Sequence, residues 1–208
     1  MKLDIKLRDY ELIYKVVSGV GEKLAHGAGR SCQFYNVNGA FLLNKFFKVK
    51  ARPVMGAAFF RLSENGDTLS FAEEKDGSLY STPQAFHCWV ETESNIIDFT
   101  APEFRETLSM AGQSNSLGRY MFQKPKSLMS DSPYDMAKVG DFFLSENEEL
   151  TAHLLKAMFK KPSAQDLAEV CLEWCKRSKY GFSELEIIND LGEKVLITPK
   201  KHNLVGVW

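Results

Sequence analysis

The sequence predicts an α+β fold, with helices toward both ends of the chain and antiparallel strands between them. Three observations predict it. Apolar residues recur at spacings of three and four from Leu7 to Phe47 and again from Glu146 to Ser178. Between Lys50 and Gln123 that period shortens to two. The turns joining the strands are short and polar, so no helix alternates with them as a parallel sheet would require.

Each element has its own signal. Leu7, Tyr10, Ile13, Tyr14, Val17 and Val20 make one stripe of a helix from Leu7 to Leu24. Gly19 and Gly21 weaken its end, and His26-Gly27-Ala28-Gly29 stops it. Ser31 is the expected N-cap of a second helix over 32–47, since its hydroxyl can accept from the free amides of the first turn. Phe34, Val37, Phe41, Leu42 and Phe46 share one broad face of that helix, with Asn36, Asn38 and Asn44 elsewhere. Strands follow at 50–62, around Pro53, and at 68–74. The turn Glu64-Asn65-Gly66-Asp67 joins them, because Asn-Gly tolerates positive φ. Asp76-Gly77-Ser78 makes another turn. Residues 86–92 and 96–100 read as short strands, 101–116 as irregular, and 119–123 as one more strand. Two prolines and several serines make 124–140 a long surface connection. Helices over 146–159 and from Pro162 to Ser178 follow, and strands at 185–188 and 195–197 close as a hairpin.

Composition narrows the function classes. Twenty-six Lys and Arg against twenty-seven Asp and Glu leave a formal charge of −1. Neither nucleic acid nor an anionic membrane is an expected partner, since both select for clustered positive charge. Apolar residues at 44% and charged residues at 25% are ordinary globular values, against disorder or a coiled coil. No apolar run approaches the roughly 18 residues that span a bilayer. The opening MKLDIKLRDYELIYK lacks the apolar stretch of a signal peptide. Four cysteines are too few for a disulfide scaffold and are expected to stay reduced. The expectation is a cytoplasmic, single-domain protein over 1–208; its oligomeric state is not legible.

Two places can hold chemistry. Cys32 follows a Gly-rich loop at the first turn of a helix, where free amides and the helix dipole favour a thiolate. The plain alternative is a small apolar residue that happens to begin a helix. The second place is Phe86-His87-Cys88-Trp89-Val90-Glu91 with Ile96-Ile97-Asp98-Phe99-Thr100. With period two, burying Cys88, Val90, Ile97 and Phe99 together puts His87, Trp89, Glu91, Asp98 and Thr100 on the other face. His87 and Asp98 are then opposed or diagonal. The carboxylate can accept from one ring nitrogen and leave the other to take a proton from a thiol. A purely structural His87–Asp98 bond is the alternative.

A helix-start cysteine, a His-x-Trp-Val-Glu strand and an Asp-x-Thr strand together resemble the transglutaminase-like and papain-like cysteine enzyme superfamily. His87-Cys88-Trp89-Val90-Glu91 is similar to its His-Ala-Trp-Val-Glu, and Asp98-Phe99-Thr100 to its Asp-Pro-Thr. The order Cys32, His87, Asp98 matches the triad order. The likeness covers about 24–100, and it extends to a small set of bacterial proteins assigned to that fold. It implies a cysteine-proteinase-like fold, with the nucleophile at a helix N-terminus packed on an antiparallel sheet. Residues 1–123 would carry the triad, and 124–208 would be a family-specific helical extension with a hairpin. The implied function is a cysteine hydrolase or acyl transferase acting on an amide, ester or thioester of a small molecule or peptide. The alternative is a non-catalytic peptide- or ligand-binding protein that keeps the fold.

There are departures. The papain-like oxyanion glutamine lies six positions before the nucleophile, where this chain has His26. His26, Gln33 and Trp89 are candidate oxyanion or supporting residues, with the Cys32 backbone amide as a further donor. Cys171 and Cys175 flank Trp174 on a helix and read as small apolar core residues, because no further metal ligand lies near them in sequence. Neither Gly19-x-Gly21 nor Gly27-x-Gly29 has the strand and remaining glycines of a dinucleotide loop. No cofactor and no metal is expected.

Overall fold

The computed structural model describes residues 3–25, 31–110, 112, 117–188 and 191–208. It is a mixed α+β protein. Helix α1 runs Leu7–Leu24 and α2 runs Ser31–Lys45, both close to the spans their spacing predicts. Ser31, the expected N-cap, is itself the first helical residue of α2 and not its cap. The polar residues of α2 also differ from expectation. Asn36 and Asn38 are buried, as is nearly everything from Gln33 to Leu43. The helix is enclosed by α1 on one side and by sheet strands and α5 (Ser163–Ser178) on others. A helix buried all round needs no polar stripe, and its asparagines must find internal partners.

Close approach is part of this packing. A Cβ on Gly39 would stand 2.2 Å from the Phe99 ring, so only glycine lets α2 lie this near the sheet. Gly19 and Gly21, expected to weaken the end of α1, do not end it. A Cβ at Gly19 would meet Trp174 and one at Gly21 would meet Tyr35, each at 2.8 Å.

The main sheet contains β1 (Arg52–Arg61), β2 (Thr68–Phe71), β5 (His87–Glu91), β6 (Asn95–Asp98), β7 (Tyr120–Pro125), β8 (Phe142–Glu146) and β11 (Gly206–Val207). Its order is β11-β7-β6-β5-β1-β2, with β8 also on β1. The long strand β1 organises it. Residues 56–60 of β1 pair with β8, 52–56 with β5, and 58–61 with β2. One edge of a strand holds one partner at each position, so β5 and β2 share the edge opposite β8 and lie end to end. His87 begins β5 opposite Gly56, and Phe71 ends β2 opposite Ala58. The imidazole therefore stands at the seam between two strands.

The strand expected over 68–74 divides. After Phe71 the chain leaves β1, and β3 (Glu73–Lys75) folds onto β4 (Ser78–Tyr80) as a separate hairpin. Asp76 and Gly77, at φ of 54° and 73°, make its turn. Helix α3 (Phe104–Met110) occupies part of the stretch expected to be irregular. Helix α4 (Glu148–Phe159) starts after β8, not at Glu146, with the Asn147 side chain capping the Leu150 amide.

Both sheet faces are buried. Val90, Ile97 and Phe99 pack with α1, α2 and the Trp174 face of α5. Trp89, Ile96, Phe60, Phe104, Phe122 and Phe142 form the core on the other face. Residues 124–208 share these layers, because β8 joins the sheet and Trp174 enters the α1–α2 core. Strands β9 (Leu185–Ile188) and β10 (Lys194–Ile197) form the closing hairpin. Among the described residues, no helix is long and apolar enough to cross a membrane.

Candidate active site

Three elements converge at the seam. Helix α2 brings Cys32 in its first turn, β5 brings His87 at its first residue, and β6 brings Asp98 at its last. The first backbone amides of a helix have no intrahelical acceptor, and the Cys32 N–H is one of them. Cys32 is partly exposed, while His87 and Asp98 are both fully buried. On the sheet, Val90 pairs with Ile97 and Glu91 with Ile96. Continuing that register sets His87 opposite Thr100 and diagonal to Asp98. The diagonal is closed by a bond of 2.7 Å between His87 Nε2 and Asp98 Oδ2.

The other ring nitrogen, Nδ1, is buried and closes no hydrogen bond among the described residues. Cys32 is nonetheless near enough to act on the imidazole through its thiol and its charge. Such loose contacts are common between catalytic groups before a substrate tightens them. Burial alone would lower the pKa of His87. The Asp98 carboxylate, its hydrogen bond and Cys32 outweigh burial and push the pKa up from 6.5 to about 10. An imidazolium is thus the favoured form of the ring near neutral pH.

The ring is also held by aromatics. Phe71 stacks on it, with centroids 4.4 Å apart and planes 24° from parallel, and Phe60 meets it edge-on at 5.6 Å. A cationic ring on an aromatic face adds a favourable contact at the seam between β2 and β5.

Asp98 is fixed on all sides. Its backbone carbonyl accepts from the Tyr10 hydroxyl of α1. Its Oδ1 accepts from the Thr100 N–H at 2.8 Å and from Asn36 Nδ2 at 3.0 Å, which leaves Oδ2 for His87. Asn36 also donates to the carbonyls of Cys32 and Cys88 and to Thr100 Oγ1, and its Oδ1 accepts from the Phe99 N–H. Sequence reasoning missed Asn36. The available signal was its position one turn after Cys32, which puts it on the same side of the helix as that thiol.

The supporting residues fare differently. His26 lies outside the described residues. Gln33 is buried, and the bond its amide closes runs to the Leu154 carbonyl at 3.1 Å, tying α2 to α4. Trp89 shares His87's face but sits 1% exposed in the aromatic core, with its indole N–H donating to Glu91. It supports the strand and does not line an opening.

Cys88 points to the opposite face, packed with Met55, Phe86, Leu150 and Leu154, and burial pushes its thiol well above the usual range. Cys171 and Cys175 are buried on α5 beside Trp174 and lie in the core. Burial raises the pKa of both thiols, that of Cys175 to about 12.

Over residues 6–208 the chain matches the family described as "Protein of unknown function (DUF2026)", and it belongs to that family. It is also similar to a solved structure described as "The crystal structure of genomics APC5867". The two are 30% identical with a TM-score of 0.87, and the match covers 100% of this chain and 98% of that one. No curated protein matches it.

Proposed function

We propose that this member of the DUF2026 family is a cysteine hydrolase or acyl transferase of cysteine-proteinase-like fold, acting on an amide, ester or thioester of a small molecule or peptide. One observation carries the reading: a buried His87, bonded to Asp98 through Nε2 at 2.7 Å, keeps Nδ1 free of hydrogen bonds among the described residues, with the helix-start Cys32 close enough to raise its pKa. Neither half is persuasive alone, since buried His–Asp pairs occur as structural bonds. Their meeting at one partly exposed thiol is what favours chemistry.

In the proposed reaction, the Cys32 proton already rests on His87 Nδ1 as a thiolate–imidazolium pair, and the thiolate Sγ attacks the substrate carbonyl carbon. The carbonyl electron pair moves to oxygen, and the Cys32 N–H stabilises that oxyanion. His87 Nδ1–H then protonates the leaving amine, alcohol or thiol as the tetrahedral species collapses to an acyl-thioester. Water or an amine adds next, giving its proton to His87, and Cys32 departs as thiolate. Asp98 holds Nε2–H throughout, which keeps the tautomer with Nδ1 free and stabilises the imidazolium.

The test is the pH profile of iodoacetamide alkylation from pH 4 to pH 9, read cysteine by cysteine by mass spectrometry. Cys32 should be modified rapidly well below pH 7, while Cys88, Cys171 and Cys175 stay protected in the folded protein. An ordinary thiol profile at Cys32 would remove the catalytic reading and favour a binding protein that keeps the fold.

A further inference from the structure

The ladder between β5 and β6 contains a substitution made by a side chain. The Thr92 N–H donates to the Asn95 carbonyl at 3.0 Å, so that pair is a hydrogen-bonded one. Hydrogen-bonded pairs alternate with non-bonded ones in an antiparallel ladder. With Glu91 opposite Ile96 and Val90 opposite Ile97, the next bonded positions are Val90/Ile97 and then Cys88/Phe99. At Cys88/Phe99 the expected partners do not meet. The Cys88 carbonyl accepts from Asn36 Nδ2 at 2.7 Å, and the Phe99 N–H donates to Asn36 Oδ1 at 2.9 Å. One carboxamide from α2 takes both ends of a missing ladder bond and holds the strands apart by its own width.

That insertion lies where His87 and Asp98 emerge. The same Nδ2 donates to Asp98 Oδ1 and to the carbonyl of Cys32, so its two hydrogens are shared among oxygens of α2, β5, Asp98 and Thr100. The orientation of the amide is not arbitrary, because a flipped one would face the Phe99 N–H with another donor. Gly39, one turn on, permits the depth of insertion by letting α2 lie against Phe99.

We propose that Asn36 is a positioning residue for the Cys32 reaction. It wedges β5 from β6 and locks the Asp98 carboxylate so that Oδ2 meets His87, while tying the nucleophile's turn to the same point. This rests on the catalytic reading above. Without the amide, Asp98 Oδ1 keeps the Thr100 N–H but loses the side-chain donor that fixes the plane of the carboxylate, and the imidazolium loses its anchor. A role confined to folding would lower stability and leave the reactivity of Cys32 unmoved.

The experiment compares alkylation pH profiles of Cys32 in the wild type, Asn36→Ala and Asn38→Ala. Asn38 is the control: it is buried on the same helix, and its amide donates to the Phe34 carbonyl one turn back. Rapid labelling at pH 6 should fall about tenfold or more in Asn36→Ala as its profile moves toward that of an ordinary thiol. Asn38→Ala, at comparable loss of thermal stability, should stay within about twofold of wild type. Should Asn36→Ala not fold, Asn36→Ser, which keeps a small donor, carries the same measurement. A wild-type profile in the folded Asn36 variant, an equal loss in Asn38→Ala, or failure of both Asn36 variants to fold would each overturn the positioning role. An ordinary thiol profile in the wild type itself would instead overturn the catalytic reading, which separates the two failures.

Discussion

Helices α2 and α5 each carry cysteine against the core, yet they surround it in opposite ways. Cys32 sits in the first turn of α2, partly exposed, with an imidazole, a carboxylate and a carboxamide behind it. Cys171 and Cys175 sit on α5 with Trp174 in the apolar core, and burial raises both thiols. Helix propensity does not distinguish the two places. Position along the helix and the neighbouring strands do, because a thiol becomes a nucleophile only where its anion has a partner.

The sharpest way to break this contrast is to remove the thiols in turn. Cys32→Ala should abolish rapid iodoacetamide labelling below pH 7, whereas Cys171→Ala and Cys175→Ala should leave it intact. Persistent fast labelling in Cys32→Ala would move the reactive thiol elsewhere. Next in size is Trp174→Ala, which empties a fully buried site between α1 and α5 and removes the indole bond to the Ser183 carbonyl. It should cost about 3–5 kcal/mol in denaturant unfolding and open Cys171 and Cys175 to reagent. Unchanged protection of both would mean that Trp174 is not what buries them.

Asp98→Asn keeps the shape of the carboxylate but not its charge. Alkylation of Cys32 at pH 6 should slow about tenfold, with the fold retained by circular dichroism. An unmoved rate would take Asp98 out of the proposed mechanism.

The two regions also differ in how they should respond to alkali. His87 is raised in the folded state from 6.5 to about 10, so its contribution is complete below about pH 6.5 and is lost as pH rises toward 10. The α5 thiols are raised above 9, so the unfolded chain loses protons first and their effect begins only near pH 9. Unfolding midpoints between pH 6 and 9 should therefore decline less in His87→Gln than in wild type, and Cys171→Ala should follow wild type there. Parallel slopes for all three would refute the assignment. The smallest change is expected at Glu91, which accepts from Lys126 and Arg52 near the surface. Its carboxyl is held below the usual range by Lys126 and Trp89 despite burial. With partners this exposed, Glu91→Gln should cost no more than about 1 kcal/mol, measured at pH 7.

Spacing along the chain was enough for much of this molecule. Leu7–Leu24 announces itself by its apolar stripe, and Asn65-Gly66 and Asp76-Gly77 announce their turns, because these signals act within a few residues. Strand parity likewise determines that Val90, Ile97 and Phe99 lie opposite Trp89, since alternation follows from backbone geometry alone. Only the tertiary structure decided that β8 is a strand: Phe142–Glu146 is short, and its conformation rests on pairing with β1, far away in sequence. The same holds for Asn36. Nothing local marks a mid-helix asparagine as a strand partner, and its role exists only because Gly39 lets α2 settle against Phe99. Local order follows from residues near in the chain, whereas the seam that joins Cys32, His87 and Asp98 depends on contacts between residues that meet only when the layers pack.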